Sequence, residues 1–341
     1  MNLRIQAKNL SPKTEKLLRA HFSDYERMSP RDALLSQRPF SRVLLCASLN
    51  ETGYDRHLLD LLHRAEGARL FEDTVAGVVV ESPGPLYTRE AGVQLLYHAN
   101  RLGARMPGRS LVEATPGLEN LVPLSRPLGK SPEDILSAQL KGLHERMGTS
   151  RQTSLQRRLS VWTIGKPDTS ATLAVWDMIR PHLNGIEIDL LSFGQENIRD
   201  CRGCAYELCK KMGEETRCIY EDYVVKEMYP SIERSDGILI LTPNYNDMLP
   251  ANFVSSINRL TALFRKRKFF DKSLFSLIVT GHSGAELLSR QLIGALHINK
   301  TFALPPRFTW EVRAHNRDAI RENRELPQQA EAFAKRIVAY L

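Results

Sequence analysis

The second half of this chain repeats one pattern five times: a short apolar run, a polar loop, and an amphipathic stretch. The runs are Leu159–Ile164, Ile186–Leu191, Gly237–Leu241, Ser276–Val279 and a last one near Thr301–Leu304. Between and after them, helical periodicity ends near Asn184-Gly185 and recurs at Asp222–Glu233, Pro250–Phe264, Glu286–His297 and Pro327–Tyr340. Strands that are apolar on both faces and alternate with helices predict a parallel sheet covered on both sides. In such a sheet, ligands sit in the crevice beyond the carboxyl ends of the strands, so the polar loops become the place to look for chemistry.

With 341 residues the chain exceeds one ordinary domain, and its first half shows the same alternation in weaker form. Residues 1–40 are polar and read as a helical N-terminal arm. Residues 41–148 read as a shortened α/β domain, with strands at Arg42–Ala47, Gly77–Val80 and Ser110–Ala114 and helices at Tyr54–Glu66, Arg89–Leu102 and Pro132–Met147. Residues 149–157 read as a linker, and 158–341 as the larger α/β domain. No apolar run is long enough to span a bilayer and the first residues are polar, so the expectation is a cytoplasmic protein without a membrane partner. The net charge of +8 is spread thinly: residues 1–150 carry 20 Lys/Arg against 17 Asp/Glu. The one dense run, Arg265-Lys266-Arg267-Lys268, closes a helix whose negative end it complements, so no nucleic-acid partner is expected.

No G-x-G-x-x-G follows any strand, which removes the dinucleotide type of phosphate loop. The first loop of the second half, Gly165-Lys166-Pro167-Asp168-Thr169-Ser170-Ala171-Thr172, gathers hydroxyls and amides at a helix N-terminus. That combination favours a phosphate, and it also serves as an ordinary helix cap. Thr242-Pro243-Asn244-Tyr245-Asn246-Asp247 sets an aromatic ring among amide donors, which suits a planar heteroaromatic ring with edge carbonyls. Thr280-Gly281-His282-Ser283-Gly284 is small enough for its backbone to approach a ligand closely.

Together with the stretches DGILILTPNYNDMLPANFVSSINRL and SLIVTGHSGAE, these loops resemble the NAD(P)H-dependent FMN reductase group of the flavodoxin-like superfamily. The resemblance covers about residues 158–341. It implies a flavodoxin-like, doubly wound parallel sheet with Lys166, Thr169, Ser170 and Thr172 around the FMN phosphate. It implies Thr242, Pro243, Asn244, Tyr245 and Asn246 along the isoalloxazine, with Thr280, Gly281 and His282 on its pyrimidine side. His282 is the candidate catalytic or nicotinamide-positioning side chain. The implied activity is an FMN-dependent NAD(P)H oxidoreductase, with NAD(P)H as co-substrate and a small molecule or redox protein as acceptor. The group commonly forms homodimers. The rival reading is a non-catalytic flavin/iron–sulfur electron carrier or redox sensor. One departure is local: Lys166-Pro167-Asp168 replaces the group's usual GSxR or GSP, so Asp168 must turn away from a phosphate or cap the helix.

Four of the five cysteines fall in one segment, Cys201-x2-Cys204-x4-Cys209-x8-Cys218. Clustered thiols suit a [4Fe–4S] cluster, redox-active thiols or tetrahedral zinc, and the resemblance to iron–sulfur flavoproteins favours the cluster. Cys46 and Trp162 read as core residues. Finally, RVLLCASLNETGYDRHLLDLL parallels LSVWTIGKPDTSATLAVWDMI, and AGVVVESPGPLYT parallels DGILILTPNYND, as expected of a degenerate flavodoxin-like copy. Its first loop, Ser48–Gly53, carries Glu51 where a phosphate would sit, so the copy is expected to bind no flavin.

Overall fold

A computed structural model describes residues 1–36, 40–66, 69–149 and 157–341. The chain divides between residues 150 and 151 into two compact units. The first contains β1 (Asn2–Gln6), α1 (Pro12–His21), β2 (Tyr25–Met28), α2 (Pro30–Leu35), β3 (Arg42–Ser48) and α3 (Arg56–Arg64). It continues with β4 (Val75–Glu81), α4 (Thr88–Arg101), β5 (Leu111–Ala114), α5 (Val122–Leu128) and α6 (Pro132–Gly148). The second contains β6 (Arg157–Thr163), α7 (Ala171–Ile179), β7 (Ile186–Ser192), α8 (Tyr206–Glu214), α9 (Tyr229–Arg234) and β8 (Gly237–Pro243). It ends with α10 (Ala251–Lys266), β9 (Ser273–Thr280), α11 (Ala285–Leu292), β10 (Thr309–Arg313), α12 (Arg317–Glu322) and α13 (Leu326–Ala339). Among the described residues no helix is long and apolar enough to cross a membrane.

Every strand pair is parallel, and the orders are β2-β1-β3-β4-β5 and β10-β9-β8-β6-β7. Numbered within its own unit, each sheet therefore reads 2-1-3-4-5, the flavodoxin-like order. The flavodoxin-like α/β fold holds for the second unit as read from its sequence. For the first it holds more completely than expected. Residues 1–40 are not a helical arm: Asn2–Gln6 is a central strand, flanked by Tyr25–Met28 and Arg42–Ser48. The strand is five residues long, and four of its side chains are buried, two of them the polar Arg4 and Gln6. Polarity hid it, because Arg4, Gln6 and Glu15 satisfy one another: Arg4 Nη2 and Glu15 Oε2 lie 2.5 Å apart, and Gln6 Nε2 donates to Glu15. Cys46 is fully buried beside this network, and desolvation pushes its thiol up to about 12, as befits a core residue.

The extra strands change which segments correspond. RVLLCAS is the third strand of its unit and LSVWT lies in the first of the other, while GVVVE is the fourth and GILILTP the third. The repeat is one of fold, then, with the copies paired differently from the sequence comparison. The helix that follows the first strand of unit one is α1, and Glu51 is nowhere in its loop. The carboxylate there is Glu81, the last residue of β4: its Oε2 accepts from Ser11 N at 2.6 Å and its Oε1 from Thr14 Oγ1 at 3.1 Å. Most of the expected linker, residues 150–156, lies outside the described residues; Arg157 at its end already belongs to β6.

In the second unit, Leu159, Val161, Leu239, Leu241, Phe275 and Leu277 pack from the sheet against Val175 and Trp176 of α7 and Phe333 and Ile337 of α13. On the opposite face Trp162, Phe193 and Phe253 form an aromatic cluster with ring centroids 5.3–6.4 Å apart. Trp162 is fully buried and donates from Nε1 to Ser160 Oγ at 3.0 Å, confirming it as core. Burial of one such ring contributes up to about 5 kcal/mol on an area basis, an upper bound set by the extended-chain reference. The last strand is Thr309–Arg313, not Thr301–Leu304; the earlier segment adds only an isolated bridge from Ala303 to Ser273.

Candidate functional site

β6 lies between β7 and β8, so successive connections leave it in opposite directions and a crevice opens where their loops part. A cleft of about 480 Å³ occupies that position. Its lining comes from five loops, one after each strand of the unit, including Lys166, Thr169, Ser170, Tyr245, Gln195 and His315. The volume falls in the range of sites that take a cofactor.

The loop after β6 is built to leave amides exposed to that cleft. Lys166 O accepts from Thr169 N (3.3 Å) and Ser170 N (3.0 Å), which curls the loop into a turn. Ser170 then caps α7, its Oγ accepting from Leu173 N at 3.2 Å. The amides of Ala171 and Thr172, which line the cleft, make no hydrogen bond within the described protein. Both walls depend on missing side chains. A Cβ on Gly165 would stand 2.2 Å from Ser170 Oγ, and one on Gly194 would stand 2.4 Å from Ile164 O. The loops after β6 and β7 thus touch backbone to backbone at the floor of the cleft.

Opposite, the loops after β8 and β9 are tied together. Asn244 Nδ2 donates to Ser283 O (3.0 Å) and Asp247 Oδ1 (3.0 Å), while Asn244 Oδ1 accepts from Asp247 N at 2.8 Å. Gln291 of α11 grips the same loop twice, accepting from Leu249 N (3.2 Å) and donating to Asp247 O (3.0 Å). Tyr245 stands out from this brace, 57% exposed, with its ring free to face a ligand.

Eight of the residues read from the sequence line this cleft: Lys166, Thr169, Ser170, Thr172, Pro243, Asn244, Tyr245 and Gly281. Four do not. Thr242 is fully buried in the sheet, and its hydroxyl is turned onto Pro243 O at 2.9 Å. Thr280 donates to Ser283 O at 2.8 Å and supports its loop from below. Asn246, at φ +54°, and His282 stand outside the lining. Sequence reasoning missed Ser192 at the end of β7, Gly194 and Gln195 after it, and Ala314, His315 and Asn316 after β10. The first group was open to the same rule of strand ends, and the second was lost with the misplaced last strand.

The cysteine segment follows Gln195. Arg259 on α10 has a fully buried side chain that reaches Asp222 with both terminal nitrogens (2.6 and 2.7 Å) and Tyr220 O at 3.2 Å. Burial opposes its charge, but Asp222 outweighs that and raises its pKa. Asn252 Nδ2, two turns earlier on the same face of α10, donates to Phe193 O (2.6 Å) and Glu196 O (3.0 Å). Cys201, Cys204, Cys209 and Cys218 line one small cavity, together with Arg259. Among the described residues no group of three or more His, Cys, Asp or Glu is arranged to hold a metal ion. Cys209 lies on α8 (Tyr206–Glu214), and the [4Fe–4S] cluster that the resemblance favoured finds no support in this arrangement.

Residues 160–314 match the family model described as NADPH-dependent FMN reductase. The resemblance read from the motifs is borne out over that stretch, and the family is one of oxidoreductases that use FMN and NADPH. No curated protein matches the chain. Among solved structures the chain is similar to RosB with a bound 8-demethyl-8-formylriboflavin-5'-phosphate intermediate, at 15% identity and TM-score 0.42, covering 52% of this chain and 76% of that one. It is similar to the NAD(P)H:quinone oxidoreductase from Methanothermobacter marburgensis (13%, TM-score 0.39, 53% and 96%). It is likewise similar to an azoreductase from Bacillus anthracis (12%, TM-score 0.37, 54% and 99%).

Proposed function

We propose that the second unit binds FMN in the cleft above β6 and β8 and acts as an FMN-dependent NAD(P)H oxidoreductase that passes electrons to a small-molecule or redox-protein acceptor. The observation that carries this reading is the pair of unbonded amides of Ala171 and Thr172 at the N-terminus of α7, inside a cleft within the matched family region. Amides and a positive helix end favour a phosphate, and Thr169 and Lys166 add a hydroxyl and a cation. Pro243, Asn244 and Tyr245 would flank the flavin ring, with Gly281 letting backbone approach its far edge.

When bound, FMN supplies hydride and electron chemistry; the chain's part is to hold and orient. The braced loop Asn244–Leu249 would hold Tyr245 and Asn244 against the ring, and the close approach of Gly194 to Ile164 would bound the cleft on the other side. Both restrain the geometry in which a nicotinamide could stack at about 3–3.5 Å. The test is direct. Purified protein titrated with FMN should quench flavin fluorescence at micromolar concentration, and the complex should consume NADPH or NADH in the presence of a quinone. Quenching without consumption would favour the electron-carrier reading instead. No quenching would end both.

A further inference from the structure

The loop after β10 is the unexpected wall of the cleft, and it brings a cation with it. Ala314, His315 and Asn316 line the cleft directly. Asn316 then caps α12, its Oδ1 accepting from Ala319 N at 2.8 Å, which sets Arg317 at the first helical position. β10 and β6 are separated in the sheet by β9 and β8, yet α12 and α7 pack together on one face. Arg317 spans that contact. Its Nη1 donates to the carbonyl of Pro167, in the middle of the loop that leads into α7, and its Nη2 stands 4.0 Å from Asp177 Oδ2 on α7. Its Nε is buried and has no hydrogen-bond partner.

This placement runs against the field of the helix. Cations are ordinarily disfavoured at a helix N-terminus, where the exposed amides already carry positive charge. Here Lys166 lies in the loop that leads into α7, where the amides of Ala171 and Thr172 are unbonded, and Arg317 is bonded to Pro167 O of that same loop. Asp168 in the loop and the largely exposed Asp177 offset part of this charge, and the remainder is what a dianionic phosphate would neutralise.

We propose that Arg317 is a positioning residue for the flavin phosphate: by tethering Pro167 O it holds the loop Gly165–Ser170 in its turn, and it adds positive charge to the phosphate end of the cleft. The inference rests on the FMN reading above and makes it specific, because it concerns the phosphate alone. Riboflavin has the same ring and ribityl chain without the phosphate, so it separates a phosphate role from a general one.

The experiment is a pair of fluorescence titrations, FMN and riboflavin, on the full chain and on Arg317→Ala and Arg317→Lys, each checked for unchanged thermal melting. Arg317→Ala should bind FMN about ten-fold or more weakly while its riboflavin affinity stays within about two-fold, as expected on losing a charge-assisted hydrogen bond. Arg317→Lys, which keeps the charge and loses the fork, should recover part of the loss. Equal weakening of both ligands would reduce Arg317 to a structural tether and overturn the proposal, as would unchanged FMN affinity in both variants. If Arg317→Ala does not fold, the comparison of Arg317→Lys with the unaltered chain decides on the same criterion. An unaltered chain that binds riboflavin as tightly as FMN overturns the proposal but leaves the flavin site standing. One that binds neither ends both.

Discussion

The two units have the same strand order, and both place a helix directly after the central first strand. They part at the end of that helix. In the first unit α1 receives a carboxylate from its own sheet: Glu81, closing the fourth strand, accepts from Ser11 N and Thr14 Oγ1. In the second unit the residue that closes the fourth strand is Thr280, neutral and bonded to its own loop at Ser283 O. The helix there keeps two amides unbonded above a cleft of about 480 Å³. One fold thus presents the same anion-favouring end twice, once satisfied from within and once left open. The scaffold supplies the electrostatics, and the residue at the strand end differs between the copies, a carboxylate in one and a hydroxyl in the other.

The largest effect should come from closing the open site. Gly194→Val drives a Cβ to within 2.4 Å of Ile164 O, a backbone atom that cannot swing aside. Overpacking of this kind costs about 3 kcal/mol, so FMN affinity should fall by roughly two orders of magnitude in a quenching titration. In the first unit Gly84→Ala meets nothing within 4 Å and should leave both melting temperature and flavin binding unchanged. Next in size, Thr169→Ala with Ser170→Ala should weaken FMN binding by about 1–3 kcal/mol, with part of the loss due to the missing cap on Leu173 N. An unaltered Kd in that double variant would mean that the phosphate lies elsewhere.

Glu81→Ala tests the other half of the comparison. It strips Ser11 N and Thr14 Oγ1 of their acceptor, so the urea midpoint of the first unit should drop by the equivalent of about 1–2 kcal/mol. FMN affinity should not move, because every residue lining the cleft belongs to the second unit.

The smallest effect is one of pH, confined to the first unit. Burial works to raise the pKa of Glu15, but hydrogen bonds from Arg4 and Gln6 outweigh it and hold the carboxyl below its ordinary 4.5. A depressed folded-state pKa contributes stability above the unfolded value, and that contribution is lost as pH falls through the folded one. Urea midpoints followed from about pH 6 down to about pH 3 should fall more steeply for the native chain than for Glu15→Gln. Parallel curves would show that the Arg4–Gln6–Glu15 network is electrostatically neutral to folding.

The second unit was legible because its strands are apolar on both faces and its loops carry polar residues at fixed places after them. The pattern located the loops, and the resemblance to the FMN reductase group picked out eight lining residues within them. What was missed had physical causes. β1 is a central strand whose buried positions include Arg4 and Gln6, and no hydrophobic count finds a strand whose partners are a salt bridge and an amide. β10 runs Thr-Trp-Glu-Val-Arg, half exposed at a sheet edge, and it lost to the more apolar Thr301–Leu304. The loop holding His315 and Asn316 went with it. The cysteine spacing left cluster, thiols and zinc open, and it does not encode that Cys209 sits on α8 (Tyr206–Glu214).

The double grip of Gln291 on the loop Asn244–Leu249, with Asn244 bonded across to Ser283, has a thermodynamic consequence. Ordering a loop of this length upon binding would cost about 1 kcal/mol or more per residue in lost backbone freedom, and here that loss is already part of folding. Ligand capture should therefore proceed with little change in amide exchange along Asn244–Leu249, and its rate should be set by encounter and not by rearrangement. Gln291→Ala would return the entropy cost to the binding step: amides of the loop would exchange faster in the free protein and slow again on ligand addition.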